Sequence, residues 1–435
     1  MVEPTGAVPT GGDTLFVGVR LLDPASGLDQ RGELLIRDGR IADFGPTLGR
    51  PDGARVIEGE DGAVLCPGLV DLRAALGEPG AEYRETIASA ALAAAAGGIT
   101  TLVALPDTSP AIDDPALVRL LRARGEETGS LTILPYGAVT RGCRGEEMAE
   151  LGLLAEAGAV AFSDGARAIG SARLMRTALA YARGFGARIV QHPEDPSLAG
   201  GGVATEGELA TRLGLPGIPA AAEAILVARD IRLAALTGGA VHFAHVSTGE
   251  ALALIRRAKD AGIAVTCDTA PPYFDLNETA IGEFRSYAKL SPPLRTEADR
   301  LAVVAALADG TIDAIASDHQ PRDADDTRLP FAQAAPGGAG LATLLGVSLA
   351  QVHGGALSLA QAIGLLTARP AAWLGVAAGR LAKGTAADLC LFHPERAWVV
   401  EAGRLPGKAQ NTPFDGRALE GRVLGTWKAG RRVFG

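Results

Sequence analysis

The chain has 435 residues, of which 47% are hydrophobic and 21% charged, enough apolar material for one large domain and a smaller one. A net charge of −9 gives no clustered basic face for nucleic acid, and no apolar run approaches the ~20 residues that span a bilayer. Four scattered cysteines, Cys66, Cys143, Cys267 and Cys390, form no CxxC pair, which argues against a disulfide framework or a structural zinc site and for buried reduced thiols.

In chain order, Met1–Asp13 is rich in Gly, Pro and Thr and lacks an apolar signal core, so a cytoplasmic protein is expected. Residues 14–66 read as short strands and turns: Phe16–Arg20, Leu34–Arg37 and Arg55–Ile57 are apolar runs cut by turn signals such as Asp38-Gly39-Arg40. The C-terminus repeats that texture in Asp388–Phe392, Ala397–Val400 and Val423–Trp427. The long middle alternates short apolar segments with Ala/Leu-rich helical patterns. Eight candidate strands are Leu69–Asp71, Thr100–Leu105, Leu131–Tyr136, Ala159–Ser163, Ala187–Gln191, Ala240–Ala244, Ile263–Asp268 and Ile312–Ser317. Helical patterns between them include Glu85–Ala96, Leu174–Arg183, Ala220–Leu236 and Glu250–Ala261. Eight such repeats predict an α/β fold, a closed (β/α)8 TIM barrel over 67–375, with a small composite β domain built from 1–66 and 376–435. A doubly wound open sheet competes, but its Gly-rich phosphate turn is missing.

Barrel chemistry sits at the C-terminal strand ends. Three of these carry suggestive side chains: His192 in Gln191-His192-Pro193-Glu194, His245 in His242-Phe243-Ala244-His245, and Asp318 in Ser317-Asp318-His319. Two imidazoles and a carboxylate converging on one mouth would just reach the three protein ligands of a hydrolytic zinc ion, whose bound water becomes acidic enough to attack near neutral pH. A lone histidine is more often a hydrogen-bonded core residue. Three acting groups at three strand ends, among six histidines, shift that balance. The first strand adds nothing: after Asp71-Leu72 come Arg73, a fixed positive charge, and then Ala74 and Ala75.

These segments resemble the dihydroorotases of the cyclic amidohydrolase superfamily. Pro67-Gly68-Leu69-Val70-Asp71-Leu72 with Glu78-Pro79-Gly80 resembles that family's PGLVDLHVHLREPG segment. Ala96–Thr101, Gly217-Ile218-Pro219 with Glu223 and Ala228-Arg229-Asp230, Ser291–Arg295, Ser317-Asp318-His319 and Asn411–Phe414 are similar to further family segments in the same order. The resemblance implies an amidohydrolase barrel acting in pyrimidine biosynthesis. It also implies where the chain departs from the pattern. The metal-binding HxH pair falls on Arg73 and Ala75, the bridging carboxylate on Gly165, and the substrate-binding positions on Gly77, Asp107, Ser291 and Arg322. Asp164 stands beside Gly165, but strand alternation turns it elsewhere, and no lysine is there to form a carbamylated bridge. His192, His245 and Asp318, the last at the position of the family base, are the remnant. Losing one transition-state donor typically costs ~3 kcal/mol, so this many losses make native turnover improbable.

The expected function is therefore a non-catalytic dihydroorotase-like protein, a structural or regulatory partner of aspartate carbamoyltransferase, as inactive homologues in this family are, with self-association as a further option. No cofactor is expected, or at most a single zinc ion. The alternative is an active metal-dependent cyclic amidohydrolase (dihydroorotase, or a hydantoin or ureide hydrolase) with a mononuclear site. A small-ligand binding module is a third option. No interface residues are assigned, because Ala-rich faces such as Ala90–Ala96 are more simply explained by close packing on the barrel.

Overall fold

A computed structural model describes residues 12–435, so nearly all of the Met1–Asp13 segment lies outside the described residues. An eight-stranded sheet takes strands from both ends of the chain. Its order is Arg431–Phe434, Ala418–Lys428, Leu389–Val399, Val64–Pro67, Thr14–Asp23, Leu28–Arg37 and Arg40–Gly45, with Arg55–Glu58 also beside Thr14–Asp23. The two ends meet where Val64–Pro67 lies parallel to the first strand and antiparallel to Leu389–Val399. One face closes over Phe16, Leu34, Leu65, Leu389 and Trp427, with the Phe16 and Trp427 rings edge to face at 4.8 Å. The apolar runs Asp388–Phe392 and Ala397–Val400 are parts of one strand, whose register slips between His393 and Ala397. Pro394 sits in that slip and has no N–H to give a ladder. The final strand, which begins Arg431-Arg432, escapes a pattern search because its apolar residues are so few.

A single residue, Gly68, joins this sheet to the barrel. A β-carbon there would lie 2.2 Å from the Thr100 hydroxyl, so only glycine lets the chain pass this close to the second barrel strand. The eight barrel strands are Leu69–Ala74, Ile99–Ala104, Thr132–Pro135, Phe162–Ser163, Arg188–Gln191, Ala240–Phe243, Val265–Thr269 and Ala314–Ile315. Each predicted strand is present, the fourth and eighth cut to two residues. Neighbours pair in parallel, as in Thr101 with Thr132 and Val241 with Val265. Backbone bonds from Val160 to Pro135 and from Gly137 to Ala161 join the third and fourth strands. Asp71 closes the ring by accepting from the Ser317 N–H at 2.8 Å and its hydroxyl at 2.5 Å, tying strand one to strand eight.

Helices return the chain between strands, and their starts follow from side-chain caps. Thr86, Ser171, Thr248 and Thr296 each accept a backbone N–H from the first turn of Ile87–Ala96, Ala172–Arg183, Gly249–Asp260 and Glu297–Ala308. Ile87–Ala96 is alanine-rich because it is covered on both sides: Ala90, Ala91, Ala93, Ala94 and Ala95 are buried, and Thr426 of the terminal sheet donates its hydroxyl to the Ala95 carbonyl. All four cysteines are buried and unpaired.

Candidate functional site

Parallel strands open all their C-terminal ends on one face, and the chemistry-bearing residues gather there. The backbone itself is special at two of them. His245 and Asp318, at the ends of the sixth and eighth strands, have φ of +40° and +46°, a left-handed conformation that side-chain-bearing residues adopt at a cost. Asp268, ending the seventh strand, holds the first of these. One carboxylate oxygen accepts the His245 N–H at 2.6 Å, and the other lies 2.9 Å from His242 Nε2. The His245 ring is thereby presented to His192, with His192 Nδ1 and His245 Nε2 3.0 Å apart. Burial holds the His245 imidazole well below its ordinary pKa, and the nearby positive charge of Arg73 adds to this, so the ring is neutral.

Arg73 points into the mouth. Its Nε donates to Asp318 at 2.7 Å and its Nη2 to the Gly165 carbonyl at 3.1 Å, while Nη1 has no partner. The two side chains of this ion pair are 2% and 11% exposed, so water does little to screen them. Burial works against both charges. The guanidinium stays protonated because Asp318, Asp268 and Asp107 surround it. The Asp318 carboxyl is left above the usual carboxylate range because burial outweighs the pull of Arg73.

The other positions where the chain departs from the pattern sit around this pair. Ala75 gives only its N–H, to the His319 carbonyl at 2.8 Å. Gly165 has φ +70°, and a β-carbon there would fall 2.3 Å from the Asp107 carboxyl carbon. Asp107, arriving from strand two, thus occupies the space a side chain at 165 would need, and it accepts the Ala166 N–H at 3.0 Å. Asp164 is turned away onto the Thr140 N–H and hydroxyl, and burial pushes its carboxyl up to about 6. Gly77 is also left-handed, with backbone oxygens of Glu85 and Ala81 where a β-carbon would go, so no longer side chain fits. Ser291 bonds Glu194 at 3.2 Å, and Glu194 in turn faces His192 Nε2 at 3.7 Å. Arg322 is folded back onto the Pro336 carbonyl, and its N–H is held by Asn411.

Whether this donor set fits a metal is a question of geometry. Two nitrogens bound to one tetrahedral ion stand about 3.3 Å apart, so the imidazole pair keeps nearly the right spacing. The third donor fails. Asp318 is committed to a permanent cation, and among the described residues no group of three or more His, Cys, Asp or Glu is arranged to hold a metal ion. Of the set His192, His245 and Asp318, the structure brings the histidines together and places the aspartate on Arg73.

Little space remains beside Asp318, although Asp107 at the rim is exposed. The cavity beside Asp318, lined by Pro271, Leu290, Ser317, Gly338 and Phe414, measures about 10 Å³, room for one water, whereas small-molecule pockets run to hundreds. A larger cleft of about 550 Å³ lies on the sheet domain between Asp13, Arg55, Trp427 and Arg432, and contains none of these groups. Sequence reasoning passed over Asp268 and Glu194, which orient the two histidines. Their place at the ends of strands seven and five was the available signal.

The family model for dihydro-orotase-like proteins matches residues 62–251. A protein named dihydroorotase from Pelobacter propionicus is 45% identical over 415 residues, 95% of this chain and 98% of its own. Another of that name from Anaeromyxobacter dehalogenans is 45% identical over 424 residues, covering 97% and 98%. Among solved structures, the L-hydantoinase (dihydropyrimidinase) of Arthrobacter aurescens superposes with a TM-score of 0.86 at 24% identity, covering 97% and 96%. The dihydropyrimidinase of Brevibacillus agri does so with 0.81 at 22%, covering 97% and 95%. At these identities the structural likeness speaks for the amidohydrolase barrel fold alone.

Proposed function

The chain belongs to the dihydroorotase family, and on that premise we propose that it is a member that does not turn over dihydroorotate and serves as a structural or regulatory partner of aspartate carbamoyltransferase. One observation carries the non-catalytic half: the Arg73 guanidinium bonds Asp318, the position of the family base. A general base works by accepting a proton from an activated water. Here the carboxylate already has a donor that never gives up its proton, and the cavity beside it has room for a single water. The partner half rests on the scaffold, retained over 98% of these relatives' length, and on the resemblance to inactive homologues.

A second reading is supported by different observations. The relatives that match along the whole chain bear the name of the working enzyme, and His245 and Asp318 keep a strained backbone of the kind found at active sites. On this reading the chain is an active cyclic amidohydrolase whose mouth opens and rearranges around substrate. The names favour this reading and the geometry favours the first.

Turnover decides between them. The purified full-length protein is assayed for ring opening and closure of dihydroorotate, and of hydantoin and ureide rings, with zinc, manganese and cobalt. The first reading expects no rate above buffer. A metal-dependent rate abolished by Asp318→Ala would establish the second. Co-purification tests the partner separately: a chain that never associates with the transferase loses that role.

A further inference from the structure

The positions where this chain departs from the family pattern are not independent losses. Arg73 brings one positive charge to the centre of the mouth, and Asp318 and Asp107 supply negative charge beside it. Asp107 fits because residue 165 is glycine; a β-carbon there would overlap its carboxylate. The Gly165 carbonyl then takes Arg73 Nη2, and the neighbouring Ala166 N–H takes Asp107. Strands one, two, four and eight are thereby tied across the mouth by one network, buried at Arg73 and exposed at Asp107. In this set each departure meets another: Arg73 bonds Asp318 and the Gly165 carbonyl, and Asp107 lies where a side chain at 165 would go.

We infer that Arg73 is the resident cation of this barrel, a covalently built-in replacement for a bound metal, which makes the mouth a charge-locked plug holding four strand ends together without any ion. The consequence is reciprocal. While the guanidinium is present, a divalent cation is repelled and Asp318 is unavailable. Once it is removed, His192 and His245 stay 3.0 Å apart, and Asp318, released from Arg73, is free to turn toward them as a third donor. The inference concerns charge and holds whether or not the chain turns over a substrate, so its failure and that of the non-catalytic reading are distinguishable: one is read as metal binding, the other as rate.

The test uses the full-length chain with cobalt(II) as the probe, after stripping with chelator. Wild type, Arg73→Ala, Arg73→His and the double variant Arg73→Ala/Asp318→Asn are titrated and followed by the visible cobalt spectrum and by melting temperature. Arg73→Ala is expected to bind one cobalt per chain at least a hundredfold more tightly than wild type and to melt higher with it. The double variant, lacking the carboxylate, is expected to lose that gain. Arg73→His, which keeps the site filled, guards against a variant that does not fold and is expected to show the same gain. Wild type binding cobalt as tightly as the folded variants would overturn the inference. So would folded variants that bind none.

Discussion

Replacing Arg73 by methionine keeps most of the buried volume and deletes the charge, so it isolates what the ion pair contributes. Removing one partner of a buried pair typically costs 3–5 kcal/mol, because the other charge is left in a poor solvent. Here the loss has a ceiling. The orphaned Asp318 can take up a proton instead of remaining an anion, and neutralising an ordinary carboxyl at pH 7 costs about 4 kcal/mol. The expected loss for Arg73→Met at pH 7 is therefore about 3–4 kcal/mol, or roughly 3–4 °C in melting temperature for a chain of this size melting as one unit. Asp318→Asn should cost a similar amount by orphaning the guanidinium. The double variant should return to within about 1 kcal/mol of wild type, since two apolar or neutral partners have nothing left to desolvate.

The pH dependence gives an independent check on the same reasoning. In Arg73→Met the folded-state pKa of Asp318 rises further above its unfolded value, so the folded protein holds a proton that the unfolded chain has released. Such a group loses stability as pH rises through that window. The penalty of Arg73→Met should thus be small near pH 4 and grow toward its ceiling at pH 7. Urea midpoints of the four proteins from pH 4 to 7 measure it. A penalty independent of pH, or a double variant as unstable as the two single ones added together, would refute the account of Arg73 as the charge partner of Asp318.

Gly165→Ala should cost about 2 kcal/mol or more, from a left-handed backbone and overlap with Asp107; Asp107→Ala in the same chain should recover part of this, and strict additivity in thermal melts would count against the shared space. Asp164 is pushed up from 3.8 to about 6, so its ionisation weakens the fold as pH rises through that interval. Relative to wild type, Asp164→Asn should therefore gain stability between pH 4 and 7, by at most about 3 kcal/mol, and a constant difference across that range would be the contrary result. Glu223 accepts from the N–H and hydroxyl groups of both Ser247 and Thr248 with no exposure to water, so Glu223→Ala should cost at least about 3 kcal/mol in urea unfolding; a loss under 1 kcal/mol would show that the turn after strand six holds itself.

The barrel was legible because its signal is repeated: eight apolar runs with helical intervals leave little room for another topology. The ends of strands were legible to within a few residues, with the fourth and eighth shorter than expected. At the site, periodicity says which side of a strand a residue faces but not where a long side chain ends. That Asp164 would turn away follows from alternation. Arg73 could have snorkelled to solvent or reached inward, and only the arrangement of Asp318 and the Gly165 carbonyl decides it. The role of Asp268 was hidden for a related reason. A carboxylate that acts by orienting His245 from a neighbouring strand is adjacent in space alone.

That difference bears on what a missing ligand means. A position read singly, such as Gly165 where a carboxylate is expected, counts as a loss. In the folded chain the same glycine is what admits Asp107, which helps keep Arg73 charged, and Arg73 in turn neutralises Asp318. An arginine buried without carboxylates would be costly alone. Together the replacements are compatible. A barrel relieved of catalysis but still required to fold would be expected to fill its mouth in this coupled way, because an empty ring of donors is a buried polar site with nothing to satisfy it. The contacts among Arg73, Asp107, Gly165 and Asp318 therefore make several departures from the family pattern parts of one arrangement of charge and space.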